Sequence, residues 1–442
     1  MQAAWRKYLR MRAPRYTSYP SALHFDASVT ADDYQRRLAE VDLYEPLSLY
    51  VHIPFCRQLC WFCGCNMRVE NEPARAARYI AALIEEIGVV GRRLGGRGRP
   101  RTVHFGGGTP NYLSAEEIAS ILGAIEVELG LTDDVRLAIE LDPRLLRGDH
   151  IARLAALGFA RMSLGVQDFD PAVQTAVNRV QSFELIESAV GDMRRSGVDD
   201  VSFDLLFGLP KQTIESFGDT LEKAISLSPD RVAVFGYAHL PNVVPRQRLI
   251  LDADLPDEDL RADLALLADS ALLKAGYRRI GFDHYATPDN ALARAALEGR
   301  VRRNFQGFTD DVARTTIGLG ASAISRVGDL YTQNEKDLPE YYDRISRAEL
   351  ATARGLELTA REKATGEAIH DLLCRGAADV SAALSAAAPA EVNAICAKLD
   401  ALEADGLIQW LGDTVFIPGE ARLLSRVVAM ALDPYEIAPR RA

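Results

Sequence analysis

The sequence lacks any long uninterrupted run of apolar residues. A membrane-spanning helix needs about 20 of them in succession, and no window of this chain approaches that length. Met1–Arg10 carries charged side chains where the apolar core of a secretory signal peptide would lie. We therefore expect a cytoplasmic protein with no membrane span.

Cysteine is scarce outside one short segment. Of six cysteines, four fall within Cys56–Cys65, and Cys374 and Cys396 stand alone. Cysteines so close together do not form a usual disulfide framework. A second CxxC or HxxxH pair, which would complete a common type of zinc site, is missing downstream. These absences favour a reducing compartment and a metal role for the clustered thiols.

An excess of basic charge is also lacking. The chain has 51 Lys and Arg against 62 Asp and Glu, a formal net charge of −11. Nucleic-acid-binding proteins usually present a basic surface, so we expect no nucleic-acid partner. A polyanionic ligand would need local arginines. Arg12, Arg15, Arg302 and Arg303 are candidates, unless they are ordinary solvated surface charges.

With 442 residues, 48% of them hydrophobic, the chain can build one large or two medium cores. From residue 47 to about 282, short apolar runs alternate with amphipathic ones, which predicts a parallel βα array and a full or partial (β/α) barrel. The predicted strands are Leu47–Ile53, Thr102–Phe105, Arg136–Leu141, Ala160–Leu164, Val201–Phe207, Arg231–Tyr237 and Arg278–Gly281. The predicted helices are Arg75–Leu94, Ala115–Leu129, Phe183–Arg195, Ser216–Ser226 and Asp257–Ala275.

After about residue 350 the composition changes to alanine-rich helices, followed by two short strands around Gly412. The helices are predicted at Ala360–Cys374, Val380–Ala386 and Ala390–Asp405. This pattern is typical of a small winged-helix-like module, for which the acidic balance argues against DNA binding. We predict an N-terminal arm (1–46), a catalytic domain (47–350) and a mainly helical C-terminal domain (351–442).

Cys56, Cys60 and Cys63 form a CxxxCxxC triplet just after the first predicted strand. Soft thiolates bind zinc, copper(I) or iron–sulfur clusters, and a four-iron cluster held by three cysteines leaves one iron open to a ligand. Zinc therefore remains an alternative. Cys65 is a further possible ligand, but its one-residue separation from Cys63 makes binding to the same cluster difficult.

Polar residues and glycines fall at or near the ends of the predicted strands, where the active site of a parallel array gathers. Gly106–Pro110 lets backbone approach a ligand and offers N–H groups to an anion, unless it is only a tight turn. Glu140 and Asp204 lie in apolar strands, so they need a cationic ligand, ribose hydroxyls or an internal ion pair. Gln167 and Arg179 are polar residues that either hold a ligand in place or have a structural role within the protein.

Together these residues resemble the radical SAM superfamily and, within it, the oxygen-independent coproporphyrinogen III oxidase family. The CxxxCxxC triplet marks only the superfamily. More specific are Pro14–Pro20, an arm that either covers the substrate or lies on the surface, and Arg303–Gly307. The other matching segments are Tyr50–Cys65, Gly106–Pro110, Gly165–Phe169, Asp204–Thr213, Tyr237–Pro241 and Ala321–Ser325.

The resemblance implies that Cys56, Cys60 and Cys63 bind a [4Fe-4S] cluster and that Cys65 does not. It implies two molecules of S-adenosyl-L-methionine (SAM). Positions contacting the first are Tyr50, Glu140 and Ile324, of which Tyr50 and Glu140 are also expected to be catalytic. Positions contacting the second are Phe62, Gly108, Thr109, Gln167, Arg179, Asp204 and Ala238, with Gly107 as a further binding glycine.

The implied reaction is oxidative decarboxylation of two propionates of coproporphyrinogen III to vinyl groups by a 5'-deoxyadenosyl radical, giving protoporphyrinogen IX. A reduced flavodoxin or ferredoxin would supply electrons to a monomeric enzyme. Alternatives are another radical SAM enzyme, of the methyltransferase or heme-opening type, and a heme-binding chaperone. One departure, at Asp310–Ile317, replaces the family's usual glycine- or alanine-containing turn and bears on substrate specificity.

Overall fold

The computed structural model describes residues 5–437. Within that range no helix is both long enough and apolar enough to cross a membrane. The strands are β1 Pro46–Ile53, β2 Phe55–Cys56, β3 Arg68–Val69, β4 Arg99–Gly107, β5 Arg136–Leu141, β6 Phe159–Gln167, β7 Asp200–Phe207, β8 Arg231–Gly236, β9 Arg278–Ile280, β10 His284–Ala286, β11 Arg302–Asn304, β12 Gly307–Thr309, β13 Thr315–Leu319, β14 Ile324–Val327, β15 Leu330–Asn334, β16 Thr352–Glu357, β17 Ala377–Asp379, β18 Gln409–Leu411 and β19 Thr414–Phe416.

The α-helices are α1 Arg6–Leu9, α2 Ala31–Glu40, α3 Pro73–Leu94, α4 Ala115–Leu129, α5 His150–Ala156, α6 Pro171–Ala176, α7 Phe183–Arg195, α8 Ile214–Ser226, α9 Glu258–Lys274, α10 Ala291–Leu297, α11 Leu338–Ser346, α12 Ala360–Cys374, α13 Ser381–Ser385, α14 Pro389–Ala404, α15 Ser425–Leu432 and α16 Pro434–Ile437. Short 3-10 helices include Pro143–Leu145 and Pro245–Leu249.

The chain forms two compact units, each assembled from separate segments. The sheet unit comprises Phe25–Pro256 and Ala313–Glu357. The arm-and-tail unit comprises Met1–His24, Asp257–Val312 and Leu358–Ala442. All the cysteines of the triplet and all the residues implied to bind SAM lie in the sheet unit. The domain limits at residues 46 and 350 remain predictions.

The sheet unit is built on a mixed sheet with the strand order β16-β15-β14-β13-β1-β4-β5-β6-β7-β8. The strands from β13 to β8 are parallel, whereas β14, β15 and β16 continue the sheet antiparallel. Six of the seven parallel strands correspond to predicted strands and, with their helices, confirm the α/β prediction, and the linear strand order corresponds to a partial barrel. Strand β13, the seventh parallel strand, was not predicted.

Local sequence explains these elements. Seven of the eight residues of β1 are buried, as expected for a strand covered on both faces of a parallel sheet. Helix α4 begins at a capping box in which Ser114 Oγ accepts from Glu117 N and the Glu117 carboxylate accepts from Ser114 N. Helix α3 has Pro73 in its first turn and ends at Gly95 in a left-handed conformation.

The prediction of a further parallel strand at Arg278–Gly281 is wrong. Strand β9 pairs antiparallel with β10, and both belong to the arm-and-tail unit. The two strands are joined by the turn at residues 281–283, and Gly281 has a φ of +63°. A parallel crossover requires a dozen or more residues, so this short connection permits only a hairpin.

The C-terminal part of the arm-and-tail unit matches the winged-helix-like prediction. Helices α12 and α14 accompany the antiparallel sheet β17-β19-β18, in which β18 and β19 are joined at Gly412-Asp413. Strand β17 was not predicted. A buried cluster that includes Leu372, Leu399 and Val415 forms part of the core.

Residues 5–24 of the predicted N-terminal arm lie in this same unit, whereas the rest of that arm lies in the sheet unit. Tyr16 and Tyr19 are buried, and the Tyr16 hydroxyl donates to Asp433 Oδ2 at 3.0 Å. The guanidinium of Arg303 donates to the carbonyl oxygens of Tyr16 (3.2 Å) and Arg15 (3.0 Å). The Arg303 side chain is buried rather than a solvated surface charge, and the arm is not an exposed surface segment.

Candidate functional site

The parallel strands bring the predicted site residues to neighbouring positions at one edge of the sheet. In the strand register Tyr50 lies opposite Gly318 on one side and His104 on the other. Glu140 lies opposite Ser163, and Gly165 opposite Asp204. The cysteine loop follows β1 at this edge. A ligand bound there would meet groups from several strands at once.

The three cysteines of the triplet differ in their surroundings. Cys56 and Cys60 are buried, Cys63 is half-buried, and Cys65 is exposed. Cys56 Sγ lies 3.2 Å from Thr109 Oγ1. Cys60 Sγ accepts hydrogen bonds from Arg144 Nη2 at 3.3 Å and Arg179 Nη1 at 3.5 Å.

Side chains from distant segments hold the backbone of the cysteine loop. Arg246 donates through Nε to Cys63 O and through Nη2 to Cys65 O, both at 2.6 Å. Gln247 Nε2 donates to Phe62 O at 3.0 Å, and Asn178 Nδ2 donates to Leu59 O at 2.7 Å. Sequence reasoning missed all three clamping side chains, because a hydrogen bond to a carbonyl oxygen leaves no mark in residue spacing.

The chemistry of the three thiols fits a four-iron cluster. Three cysteines hold such a cluster when each binds a different iron, which leaves the fourth iron open to a ligand. The hydrogen-bond donors around Cys56 and Cys60 suit charged thiolates bound to a cluster.

The glycine run Gly106–Gly108 is required by close packing against other protein atoms. Strand β4 runs through Gly107, two residues farther than a turn starting at Gly106 would allow. A Cβ at Gly106 would lie 2.9 Å from Glu140 Oε1, and one at Gly108 would lie 2.8 Å from Phe55 O. The expected free N–H groups are absent at Gly107 and Gly108, which donate to Glu140 Oε2 (3.4 Å) and Ile53 O (2.8 Å).

Glu140 is paired with a histidine and remains open to solvent. Its Oε1 lies 3.1 Å from His104 Nε2, and its side chain is 41% exposed. The Tyr50 ring stacks beside His104, with 6.0 Å between the ring centroids, and burial raises the pKa of Tyr50. The alternative of an arginine ion pair is therefore wrong for Glu140, whose carboxylate is available to a cationic ligand.

Asp204 is half-buried and accepts a hydrogen bond from Ser163 Oγ at 3.0 Å. Burial raises the pKa of Asp204 to about 7, and the charge of Glu140 adds to the effect, while Ser163 and Arg179 oppose it. The carboxyl group is close to its ionisation point at neutral pH. Ligand groups that donate hydrogen bonds, such as ribose hydroxyls, would stabilise its charged form.

Arg179 takes part in an ionic network that sequence reasoning found only in part. Its Nη2 donates to Gly165 O at 2.7 Å, and its Nη1 lies 3.4 Å from Asp142 Oδ2. Arg144 pairs with the same carboxylate at 2.6 Å. Burial alone would raise the pKa of Asp142, but Arg179 and Arg144 outweigh it and lower this pKa. Asp142 and Arg144 directly follow β5, a strand-end position that could have singled them out.

The remaining predicted residues fall around the same edge. Gln167 ends β6 with a φ of +67°, a conformation that costs a non-glycine residue roughly 1–2 kcal/mol. Phe62 O and Ala238 O both accept from Gln247 Nε2, at 3.0 and 3.1 Å. Ile324 O would lie 2.5 Å from a Cβ at Gly318, the residue opposite Tyr50. Among the contacts of residues 5–437, no hydrogen bond joins Gln167 to the cysteine loop.

Comparison with known proteins gives consistent matches. The Radical SAM superfamily model matches residues 50–224. Oxygen-independent coproporphyrinogen III oxidase from Bradyrhizobium diazoefficiens is 40% identical over 430 residues, covering 97% of this chain and 96% of the relative. The enzyme of that name from Pseudomonas aeruginosa is 38% identical, covering 96% and 94%. The solved structure of coproporphyrinogen III oxidase from Escherichia coli, a radical SAM enzyme, has a TM-score of 0.89 at 38% identity and covers 95% of this chain and 97% of its own.

Proposed function

The chain belongs to the oxygen-independent coproporphyrinogen III oxidase family of the radical SAM superfamily, and we propose that it converts two propionates of coproporphyrinogen III to vinyl groups, giving protoporphyrinogen IX. The observation that carries this proposal is the length of the match. The superfamily model covers residues 50–224, whereas the relatives match 96–97% of the chain and so include the arm and the C-terminal module. The cofactors are a [4Fe-4S] cluster and SAM.

Cys56, Cys60 and Cys63 are the residues that would hold the cluster, with Cys65 outside the ligand set. When bound, the reduced cluster supplies the electron that splits SAM into methionine and a 5'-deoxyadenosyl radical, which removes a β-hydrogen from a propionate side chain. The protein's task is to orient both reactants. Arg246 and Gln247 fix the loop that carries the ligands, through the carbonyl oxygens of residues 62, 63 and 65.

Tyr50, Glu140 and Ile324 would contact a first SAM molecule. The partly exposed Glu140 carboxylate is held by His104 and can accept hydrogen bonds from an ammonium group. The Tyr50 ring, packed beside His104, would limit movement of the ligand. These two side chains would orient the sulfonium relative to the cluster, which is the sense in which we assign them a catalytic role.

A second SAM molecule would be contacted by residues near Asp204 at the same edge of the sheet. Asp204 would accept from ribose hydroxyls, and Arg179 offers a guanidinium already oriented by Gly165 O. The other residues of this proposed site are Phe62, Gly107, Gly108, Thr109, Gln167 and Ala238. Because Gly107 and Gly108 have their N–H groups bonded within the protein, their contribution would be close approach of backbone.

The physiological setting follows from the same proposal. A monomer in the reducing cytoplasm would receive electrons from a reduced flavodoxin or ferredoxin.

The test of the proposed function is anaerobic conversion of coproporphyrinogen III by reconstituted protein with SAM, a reductant and an electron acceptor. A related radical SAM enzyme would form 5'-deoxyadenosine without vinyl product, and a heme-binding chaperone would bind heme without cleaving SAM.

A further inference from the structure

Cys60 is set apart from Cys56 by the kind of donor that faces its sulfur. Two guanidinium groups direct N–H groups at Cys60 Sγ, from Arg144 Nη2 at 3.3 Å and Arg179 Nη1 at 3.5 Å. The sulfur of Cys56 has the neutral hydroxyl of Thr109 at 3.2 Å. Charge-assisted hydrogen bonds are roughly twice as strong as neutral ones. The electrostatic environment of the thiols is therefore uneven.

Asp142 fixes the geometry of the Arg144 guanidinium. The carboxylate accepts from Arg144 Nε at 3.0 Å and from Nη2 at 2.6 Å, and it also accepts from the Arg144 backbone N–H at 3.0 Å. This two-point contact holds the planar fork in one orientation, in which Nη2 also reaches Cys60 Sγ. Both side chains are largely buried, at 14% exposure for Arg144 and 8% for Asp142. The hydrogen bond to sulfur is thus preorganised.

We propose that Arg144 raises the reduction potential of the cluster by donating an N–H hydrogen bond to the Cys60 thiolate, with Asp142 as the residue that positions it. Reduction adds one electron and no proton to the cluster, and the electron comes from a low-potential one-electron donor protein. Hydrogen bonds to the cysteine sulfurs and nearby positive charge stabilise the more negative reduced state. The proposal rests on Cys60 being a cluster ligand, as assigned under the proposed function.

The test is a redox titration of the reconstituted protein, followed by electron paramagnetic resonance, without SAM or substrate. Arg144→Met removes both the charge and the donor. Arg147→Met is the matched control, because Arg147 lies in the same segment, is exposed and donates only to the adjacent Leu146 O within the described contacts. Iron and sulfide are measured on every preparation. We expect a more negative midpoint potential for Arg144→Met and an unchanged one for Arg147→Met.

Arg144→Lys separates the hydrogen bond from the charge. Lysine keeps a cation but lacks the rigid guanidinium fork. The midpoint potential of the cluster in Arg144→Lys is therefore expected between those of the wild type and Arg144→Met. A wild-type potential in Arg144→Met with full iron content overturns the proposal. If Arg144→Met loses iron, Arg144→Lys decides: a lowered potential supports the proposal and an unchanged one overturns it. Because the titration involves no turnover, its result is independent of which substrate the enzyme uses.

Discussion

The Tyr341 hydroxyl donates to Glu86 Oε2 at 2.7 Å, joining helices α11 and α3 beneath the turn that follows β13. The same carboxylate accepts from Gly320 N at 2.6 Å and from Asn334 Nδ2 at 2.6 Å. Burial raises the pKa of Glu86 to about 7, although these three donors lower it in part. The turn leads to Ile324, one of the proposed SAM contacts.

This network predicts a pH-dependent stability. A carboxyl whose folded pKa is about 7 and whose unfolded value is 4.5 binds its proton more tightly in the folded state. The resulting stabilisation is complete below about pH 4.5 and is lost as the pH rises through about 7. In Glu86→Gln this pH-dependent contribution is absent, and at low pH mismatched hydrogen bonds cost about 1–3 kcal/mol.

Denaturant unfolding of the wild type and Glu86→Gln across this pH range measures the effect. The stability advantage of the wild type should shrink as the pH rises. Glu85→Gln is the control, because Glu85 is the exposed neighbour in the same helix. Parallel pH curves for the wild type and Glu86→Gln would show that Glu86 titrates normally.

The cluster assignment predicts opposite results for two cysteines. Cys60→Ser should lose the cluster and activity together, because a buried ligand between Arg144 and Arg179 is removed. Cys65→Ser should keep its iron, because Cys65 is exposed and its contact with Arg246 uses the backbone carbonyl. Iron and sulfide analysis after anaerobic reconstitution measures both. Loss of iron in Cys65→Ser would show that this residue is a ligand.

Glu140→Gln should weaken SAM binding. A hydrogen bond to a charged group contributes about 1.5–3 kcal/mol, which corresponds to roughly 10- to 150-fold in affinity. Equilibrium dialysis of cluster-loaded protein gives the dissociation constant, and Glu126→Gln on the exposed face of α4 serves as control. An unchanged affinity in Glu140→Gln with intact cluster would remove Glu140 from the proposed site.

The raised pKa of Asp204 predicts that SAM binding depends on pH. With a pKa of about 7, Asp204 is protonated at lower pH, so binding of the second molecule should weaken as the pH falls through that value. The groups that act on it are Glu140, Ser163 and Arg179. Asp204→Asn should flatten the profile at the weaker level, whereas Asp199→Asn, at an exposed position, should not. A wild-type profile in Asp204→Asn would contradict the assignment.

The sequence predicted the parallel array well because local signals agree with tertiary structure there. Arg136–Leu141, Ala115–Leu129 and Phe183–Arg195 have the predicted bounds. The two helices, Ala115–Leu129 and Phe183–Arg195, begin at the N-cap serines Ser114 and Ser182, and such a serine marks a helix start in the sequence itself. The apolar runs of buried parallel strands are equally visible without long-range information.

What could not be predicted depends on pairing across long stretches of chain. Strand β13 pairs with β1, more than 260 residues away along the sequence, and takes in Thr315–Ile317 of the segment singled out for its departure from the family. Residues 315–317 of that segment therefore belong to a strand and not to a loop. Likewise, Arg144 and Arg246 meet the cysteine loop only in the folded chain. The strand-end residues were found because a parallel sheet places them at one edge whatever the pairing details.

The most direct test of the account is an anaerobic product analysis. Cluster-loaded protein is incubated with coproporphyrinogen III, SAM, a reductant and an electron acceptor, and the tetrapyrroles and 5'-deoxyadenosine are quantified together. An enzyme of this family forms protoporphyrinogen IX, with two vinyl groups per molecule, and the product depends on SAM. Formation of 5'-deoxyadenosine with coproporphyrinogen III left unchanged would contradict the proposed function.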